Sequence, residues 1–302
     1  MALIKVELNN FTGLKAHLNG KKVIDVSKLE LIYATVTLGI HSIRYWNYNL
    51  GISNVPRILK TIKKDRLSGE YMKHDVYKNC ESTFKKELSY LHGMVSAKLI
   101  SMKVLGINKI LHYQLYKDVY HVINPTRKEP DYIGYDNNGY WYVIEAKGTA
   151  EGKDTSTIAY GKVQAQSVSS IGGTVPTAVV TQSYFDDDLL NIVVEDPTPK
   201  ENQSQVDIDY YKFDSYYYEQ FYHYIISNKP KEFRHLGGNY LVSYDIETDI
   251  TIGLNTKVLN FHPDKELSNS FESIERDNLY IGSDGIMISI GDLTKLKEEE
   301  NK

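Results

Sequence analysis

The stretch Pro130-Asp131-Tyr132-Ile133-Gly134-Tyr135-Asp136-Asn137-Asn138-Gly139-Tyr140-Trp141-Tyr142-Val143-Ile144-Glu145-Ala146-Lys147 decides how the centre of this chain folds. Two runs rich in aromatic and β-branched residues flank Asn137-Asn138-Gly139, which is the composition of a β-hairpin. A three-residue loop, with Gly139 supplying the left-handed conformation, pairs Asp136 with Tyr140 and brings Asp131 opposite Glu145. Side chains alternate across a strand, so Trp141, Val143, Glu145 and Lys147 share one face, and the lysine stands on the side of the two acids. Adjacent carboxylates repel unless something neutralises them, and a hard, oxygen-seeking cation such as Mg²⁺ meets that need. A cation so held polarises a phosphate oxygen and acidifies a bound water, while a nearby lysine orients that water or offsets charge on phosphorus. The chemistry expected is hydrolysis of a phosphodiester. The same spacing also suits a plain cross-strand ion pair. Chemistry is favoured by context: Val143-Ile144 leads into Glu145, and small Ala146 and Gly148 surround Lys147, so a buried strand ends abruptly in charge.

Pro130-Asp131 followed by Glu145-Ala146-Lys147 resembles the paired motifs of the PD-(D/E)xK, or restriction-endonuclease-like, nuclease superfamily, over roughly Tyr77 to Val180. The resemblance implies an α/β fold with a mixed β-sheet flanked by helices, ordered helix, strand, hairpin, helix, strand. It implies Mg²⁺, with Mn²⁺ as a substitute, on Asp131, Glu145 and the Ala146 carbonyl, and Lys147 assisting the attacking water. Members often carry a further acid on the helix before the hairpin. Here Glu81 to Lys103 has apolar residues at Phe84, Leu88, Leu91, Val95, Leu99 and Met102, a helical spacing. Glu87 at the edge of that stripe is the candidate and Glu81 the second, against an ordinary solvated glutamate. Ile107 to Tyr116 is then expected as a strand. After a polar loop from Gly148 to Ser156, a helix is expected over Ile158 to Ile171, stopped by Gly172-Gly173, before a buried strand from Pro176 to Thr181. Superfamily members often use a Gln or Lys on that helix. Of Lys162, Gln164 and Gln166, Gln166 is chosen by its distance from Lys147, against a plain surface role.

The wider organisation expected is a largely helical N-terminal region at 1–75, a nuclease core at 76–235 and a β-rich accessory region at 236–302 ending in a charged tail from Lys295. Lys28 to Leu50 and Asn54 to Leu67 are the N-terminal helical candidates, although Met1 to Glu7 alternates like a strand. Seven tyrosines and two phenylalanines between Asp207 and Ile226 suit either a helix packed on a sheet or a base-stacking surface, and helical spacing favours packing. Short alternating runs from Gly237 onward suggest strands.

Length and composition suit a globular protein with a sizeable core: 302 residues, 41% hydrophobic and 25% charged. Net charge is −4, which argues against a generic nucleic-acid coat. Its distribution is uneven, since Arg57 to Lys109 holds twelve Lys/Arg against five Asp/Glu. Arg57, Lys60, Lys63, Lys64 and Arg66 are the densest group and the candidate phosphate-tracking face, unless they simply solvate an amphipathic helix. The single cysteine, Cys80, excludes an internal disulfide and a cysteine-built zinc site, and points to the cytoplasm. No secretory or membrane-spanning segment is expected. Gly152-Lys153-Asp154 lacks the Ser/Thr and upstream glycine of a nucleotide-cradling loop, so any ATP-driven step needs a separate ATPase or helicase subunit. His92 is read as an ordinary buried histidine rather than a phosphate contact. The expected activity is a metal-dependent endonuclease acting on DNA in restriction, phage defence or DNA processing, with nucleic acid and a homodimeric copy as partners. An RNA or branched-DNA nuclease, or a catalytically silent nucleic-acid-binding subunit, is the alternative.

Overall fold

A computed structural model describes residues 1–38, 50–117, 121–123, 125–197, 203–259 and 271–293. The central sheet is mixed. Its main path is built from β1 (Ala2–Asn9), β2 (Gly20–Val26), β3 (Lys109–His112), β4 (Tyr132–Tyr135), β5 (Trp141–Gly148), β6 (Thr177–Asp186) and β7 (Leu189–Glu195). The order across it is β2-β1-β7-β6-β5-β4-β3, and a short hairpin, Ile62–Lys64 with Tyr71–Lys73, joins at β7. β5 runs parallel to β6 and β1 parallel to β7, while the remaining neighbours on the path are antiparallel.

The helices that matter are α1 (Lys28–Val36), α2 (Leu50–Thr61), α3 (Ser82–Lys103), α4 (Thr155–Ala165) and α5 (Tyr210–Ser227). Three starts are fixed by local chemistry. Ser27 and Glu30 form a capping box on α1, while the carboxylates of Glu81 and Asp154 accept the first free N–H groups of α3 and α4. Residues 91–101 of α3 are buried because the helix lies under the sheet with α1 and α2 against it. Its apolar residues share one core with Tyr132, Tyr142, Ile144 and Ala146, whereas α4 meets the opposite face through Ala165, Ala178 and Val180. Chain order through this centre is α3, β3, the β4–β5 hairpin, α4, β6.

Several expectations need correction. Residues 1–75 are not a separate helical region: β1 and β2 extend the central sheet, and Ile4, Val6 and Leu8 lie in the same core as Leu88 and Val95. The strand expected over Ile107–Tyr116 is only β3: the Tyr113 N–H makes one further rung to the Asp131 carbonyl (2.8 Å), and the chain then winds into a single helical turn, Tyr113–Tyr116. The helix expected to run to Ile171 ends at Ala165. Val168–Ile171 instead forms a strand beside Ser204–Asp207, which also pairs with His121–Ile123. Gly172 and Gly173, both in the left-handed region, turn the chain after that strand rather than ending a helix.

The tyrosine-rich segment is α5, with Phe213, Tyr217, Tyr218, Phe221 and Tyr224 buried. It packs between the central sheet and a second, six-stranded sheet, in the order Lys231–His235, Gly238–Asp245, Ile250–Asn255, Ile286–Ile290, Leu279–Ile281, Ile274–Arg276. The strands of this second sheet begin at Lys231. The charged tail from Lys295 and residues 39–49 of the N-terminal helical candidate lie outside the described residues. Among those described, no helix is long and apolar enough to cross a membrane.

Candidate active site at the end of the β4–β5 hairpin

The hairpin takes the register that a three-residue loop predicts. Tyr135 pairs with Trp141 and Tyr132 with Ile144, which carries Asp131 opposite Glu145. The Asp136 N–H donates to the Tyr140 carbonyl (3.0 Å) and the Gly139 N–H to the Asp136 carbonyl (2.9 Å), with Gly139 at φ +78°. The Asp136 carboxylate also accepts the N–H groups of Asn138 and Tyr140 and the Lys15 ammonium. Because Asp136 and Tyr140 are a hydrogen-bonded pair, alternation makes Asp131 and Glu145 a non-hydrogen-bonded pair, the kind in which side chains stand closest.

Each acid is held by the other's strand. The Asp131 N–H donates to Glu145 Oε2 (3.1 Å), and the Ala146 N–H donates to Asp131 Oδ2 (2.8 Å). Lys147 Nζ donates to Glu145 Oε1 and to Gln164 Oε1 (2.7 Å), and Gln164 Nε2 donates in turn to the Glu129 carbonyl (3.1 Å). An ammonium has three hydrogens, so one remains for an incoming oxygen. Glu145 is fully buried, while Asp131 and Lys147 are part-exposed, so the site opens on the aspartate and lysine side.

Burial and the neighbouring Asp131 charge push the Glu145 carboxyl up to about 8, against the pull of Lys147. Burial also raises Asp131, opposed by the Ala146 N–H and the lysine. Two acids that resist ionising together form a pair that a cation relieves. The two carboxylates would offer oxygen to a hard divalent ion, and the Ala146 carbonyl would be a third oxygen. The sequence offers that carbonyl no N–H across the hairpin. Continued one step, the ladder would place Ala146 opposite Pro130, and proline has no N–H to offer it. Among the described residues, no group of three or more His, Cys, Asp or Glu is placed to hold a metal. A cation here would therefore complete its shell with water, as Mg²⁺ commonly does.

Glycines bring both helices onto the end of β5. A Cβ on Gly93 of α3 would lie 2.6 Å from the Lys147 carbonyl carbon, and one on Gly161 of α4 would lie 3.4 Å from Lys147 Cε and 3.5 Å from Glu145 Cγ. Tyr90 of α3 faces the acids, and its phenol is pushed up to about 12 by partial burial and then by the charges of Asp131 and Glu145. Tyr160 of α4 lies under Lys147, the ammonium 5.4 Å from the ring centre. The hydroxyl of Tyr132 is buried without a hydrogen-bond partner, its ring 4.6 Å from that of His112.

Other sequence candidates fall elsewhere. Gln166 sits at the C-cap of α4, and it is Gln164, two residues earlier on the helix face turned to β5, that reaches Lys147. Lys162 pairs with Glu195 at 2.7 Å. Glu87 is exposed and faces Arg57 at 3.7 Å, while Glu81 is spent on capping α3, so neither supplies the third acid. In the basic group, Arg57 is thus paired, Lys63 lies 3.5 Å from Asp75, and Lys60, Lys64 and Arg66 are exposed. Among the described residues, no hydrogen bond or ion pair connects these five to Asp131, Glu145 or Lys147. His92 is buried, bonded to the Thr61 hydroxyl (2.9 Å), stacked on Tyr77 and held near 4 by burial, which makes it a neutral core residue. No family model matches the chain, and no curated protein or solved structure matches it either.

Proposed function

We propose that Asp131, Glu145 and Lys147 form the centre of a Mg²⁺-dependent nuclease that hydrolyses phosphodiester bonds, with DNA as its first substrate. The observation that carries this reading is the facing of two mutually repelling carboxylates on a non-hydrogen-bonded strand pair, with an ammonium that keeps one donor in hand. The chain order of helix, strand, hairpin, helix and parallel strand supports a restriction-endonuclease-like core. A divalent cation bound by Asp131, Glu145 and the Ala146 carbonyl would polarise a phosphate oxygen and acidify a water. Asp131, the more open acid, orients that water's protons. Lys147 Nζ directs its remaining hydrogen at the water or at a phosphate oxygen, and Gln164 fixes where that ammonium stands. The setting we infer is cytoplasmic restriction, phage defence or DNA processing. The test is purified protein on plasmid, branched DNA and RNA, with Mg²⁺ or EDTA. Metal-dependent cutting is the expected result, and no cutting of any of them under any metal would end the proposal.

Gln164 is expected to matter more than Gln166. By positioning Lys147, its replacement by Ala should slow cutting about tenfold or more, the scale of losing an outer-shell partner, whereas Gln166→Ala should stay within about twofold. Equal effects would return the role to Gln166.

The raised Glu145 gives a pH signature. Its folded value of about 8 exceeds the ordinary 4.5, so the native state keeps a proton that the unfolded chain has lost. That advantage is complete below 4.5 and is lost as pH rises through 8. A cation needs the ionised carboxylate, so it must displace the proton below pH 8 and need not above it. Added Mn²⁺ or Mg²⁺ should therefore raise Tm more at pH 8 than at pH 6, and Glu145→Gln should remove the increment. An increment independent of pH would contradict this.

A further inference from the structure

Two tyrosines beside the acid pair are half exposed, at 51% for Tyr90 and 53% for Tyr160. They come from helices on opposite faces of the central sheet, so they stand on either side of the hairpin end rather than side by side. Ser89, next to Tyr90, lies with its carbonyl against Gly148, which fixes that turn of α3 at the end of β5. Tyr160 carries two ammonium groups over its ring, Lys147 and Lys128, each 5.4 Å from the centre. The phosphate-seeking charge of the site is therefore joined to a half-exposed aromatic ring.

Charge elsewhere is poorly suited to a duplex. A protein that tracks paired DNA draws its affinity from many Lys and Arg on phosphates. This chain is net negative, and Arg57 and Lys63 of its densest basic group already face Glu87 and Asp75. Aromatic faces gain affinity from bases only when those bases are unpaired, and the gain tolerates any sequence because every base has a π-face.

Building on the nuclease reading, we propose that the strand taken by this site is unpaired, with bases on the two sides of the scissile phosphate stacked on Tyr90 and Tyr160. Unpaired bases of DNA and RNA share that chemistry. Lys128 lies where the phosphate next to the Tyr160 base would pass. Duplex DNA, whose bases are already stacked on each other, is bound weakly unless an end frays or a junction opens.

Anisotropy of fluorescein-labelled oligothymidylate, oligouridylate and a hairpin duplex, measured in EDTA on the full chain, reads this without any turnover. The single strands should bind at least about tenfold more tightly than the duplex, and the two single strands report which sugar is preferred. Tyr90→Ala and Tyr160→Ala should each weaken single-strand binding about tenfold, matching one lost stack, while Tyr90→Phe and Tyr160→Phe should bind like the parent. Thermal melts of the same variants identify any that fail to fold, and the Phe pair keeps the ring where an Ala variant does not survive. Duplex bound as tightly as single strand, Ala variants that bind like the parent, or Phe variants as weak as Ala would each overturn the proposal. Duplex cutting without single-strand preference would sink the stacking and leave the nuclease standing. Tyrosine-dependent single-strand binding with no cutting under any metal would do the reverse.

Discussion

Lys147→Ala is expected to lower plasmid cutting by about a hundred- to a thousandfold, the range for losing a donor aimed at developing charge. Binding of the uncut strand should change far less, because the lysine's remaining hydrogen is of use chiefly when charge builds on phosphorus. A second effect separates chemistry from packing. Lys147 pulls the Glu145 pKa down, so its removal should move Glu145 further up and shift the pH profile of residual cutting to the alkaline side. A lysine that merely held the fold would lower Tm without lowering turnover per folded molecule or moving that profile. Asp131→Asn runs the other way. The amide keeps an acceptor for the Ala146 N–H but removes the like charge that raises Glu145. Cutting should fall as far as in Lys147→Ala, while the metal-free protein should melt at or above the temperature of the parent at pH 8, because the repulsion is gone. Both variants cutting at the parental rate would dismiss the two residues from the chemistry.

The hairpin was legible in the sequence because everything that sets it is short-range: loop length, Gly139 and period-two alternation. Those three features alone bring the acids face to face. What failed needed either long-range pairing or the correct helical phase. Val168–Ile171 has apolar ends that suit the last turn of a helix as well as a short strand, and its partner, Ser204–Asp207, lies more than thirty residues away in sequence. The alternation of Ala2, Ile4, Val6 and Leu8 announces a strand but not the sheet it joins, and β1 finds its partner in β7 at the far end of the core. Phase misled at the two helices. On α3 the apolar stripe suggested that Glu87 was close to the site, yet the face against β5 is marked by small residues, Ser89 and Gly93. Glu87 precedes Ser89 by two positions, or about 200° around the axis. On α4 the same signal was available, because Gly161 and Ala165 mark the buried face and Gln164 shares it while Gln166 does not. A glycine held inside a helix despite its propensity cost points to a packing reason, here the close approach of both helices to β5.

Those glycines carry the second large effect, which should be on stability rather than on chemistry. A Cβ on Gly148 would fall 1.8 Å from the Ser89 carbonyl oxygen and 2.7 Å from its carbon, both backbone atoms. No side-chain rotation relieves such a contact, so α3 must move off the sheet, and Gly148→Ala is expected to cost about 3 kcal/mol or more. Gly93→Ala meets the Lys147 carbonyl carbon at 2.6 Å and its oxygen at 2.7 Å, again backbone, but recovers about 1 kcal/mol of helix propensity, so its cost should be smaller. Gly161→Ala meets a methyl group of the buried Val180 at 2.8 Å, a side-chain rather than a backbone atom, and with the same propensity gain it should cost the least of the three. Urea titrations of the three variants should therefore rank Gly148 well above Gly93, and Gly93 above Gly161. A flat series would mean that the helices do not approach β5 as closely as the site requires. The ranking bears on function because the same contacts position Lys147: an α3 displaced by the Gly148 variant would move the strand end that carries the ammonium, so whatever folded fraction survives should also cut slowly.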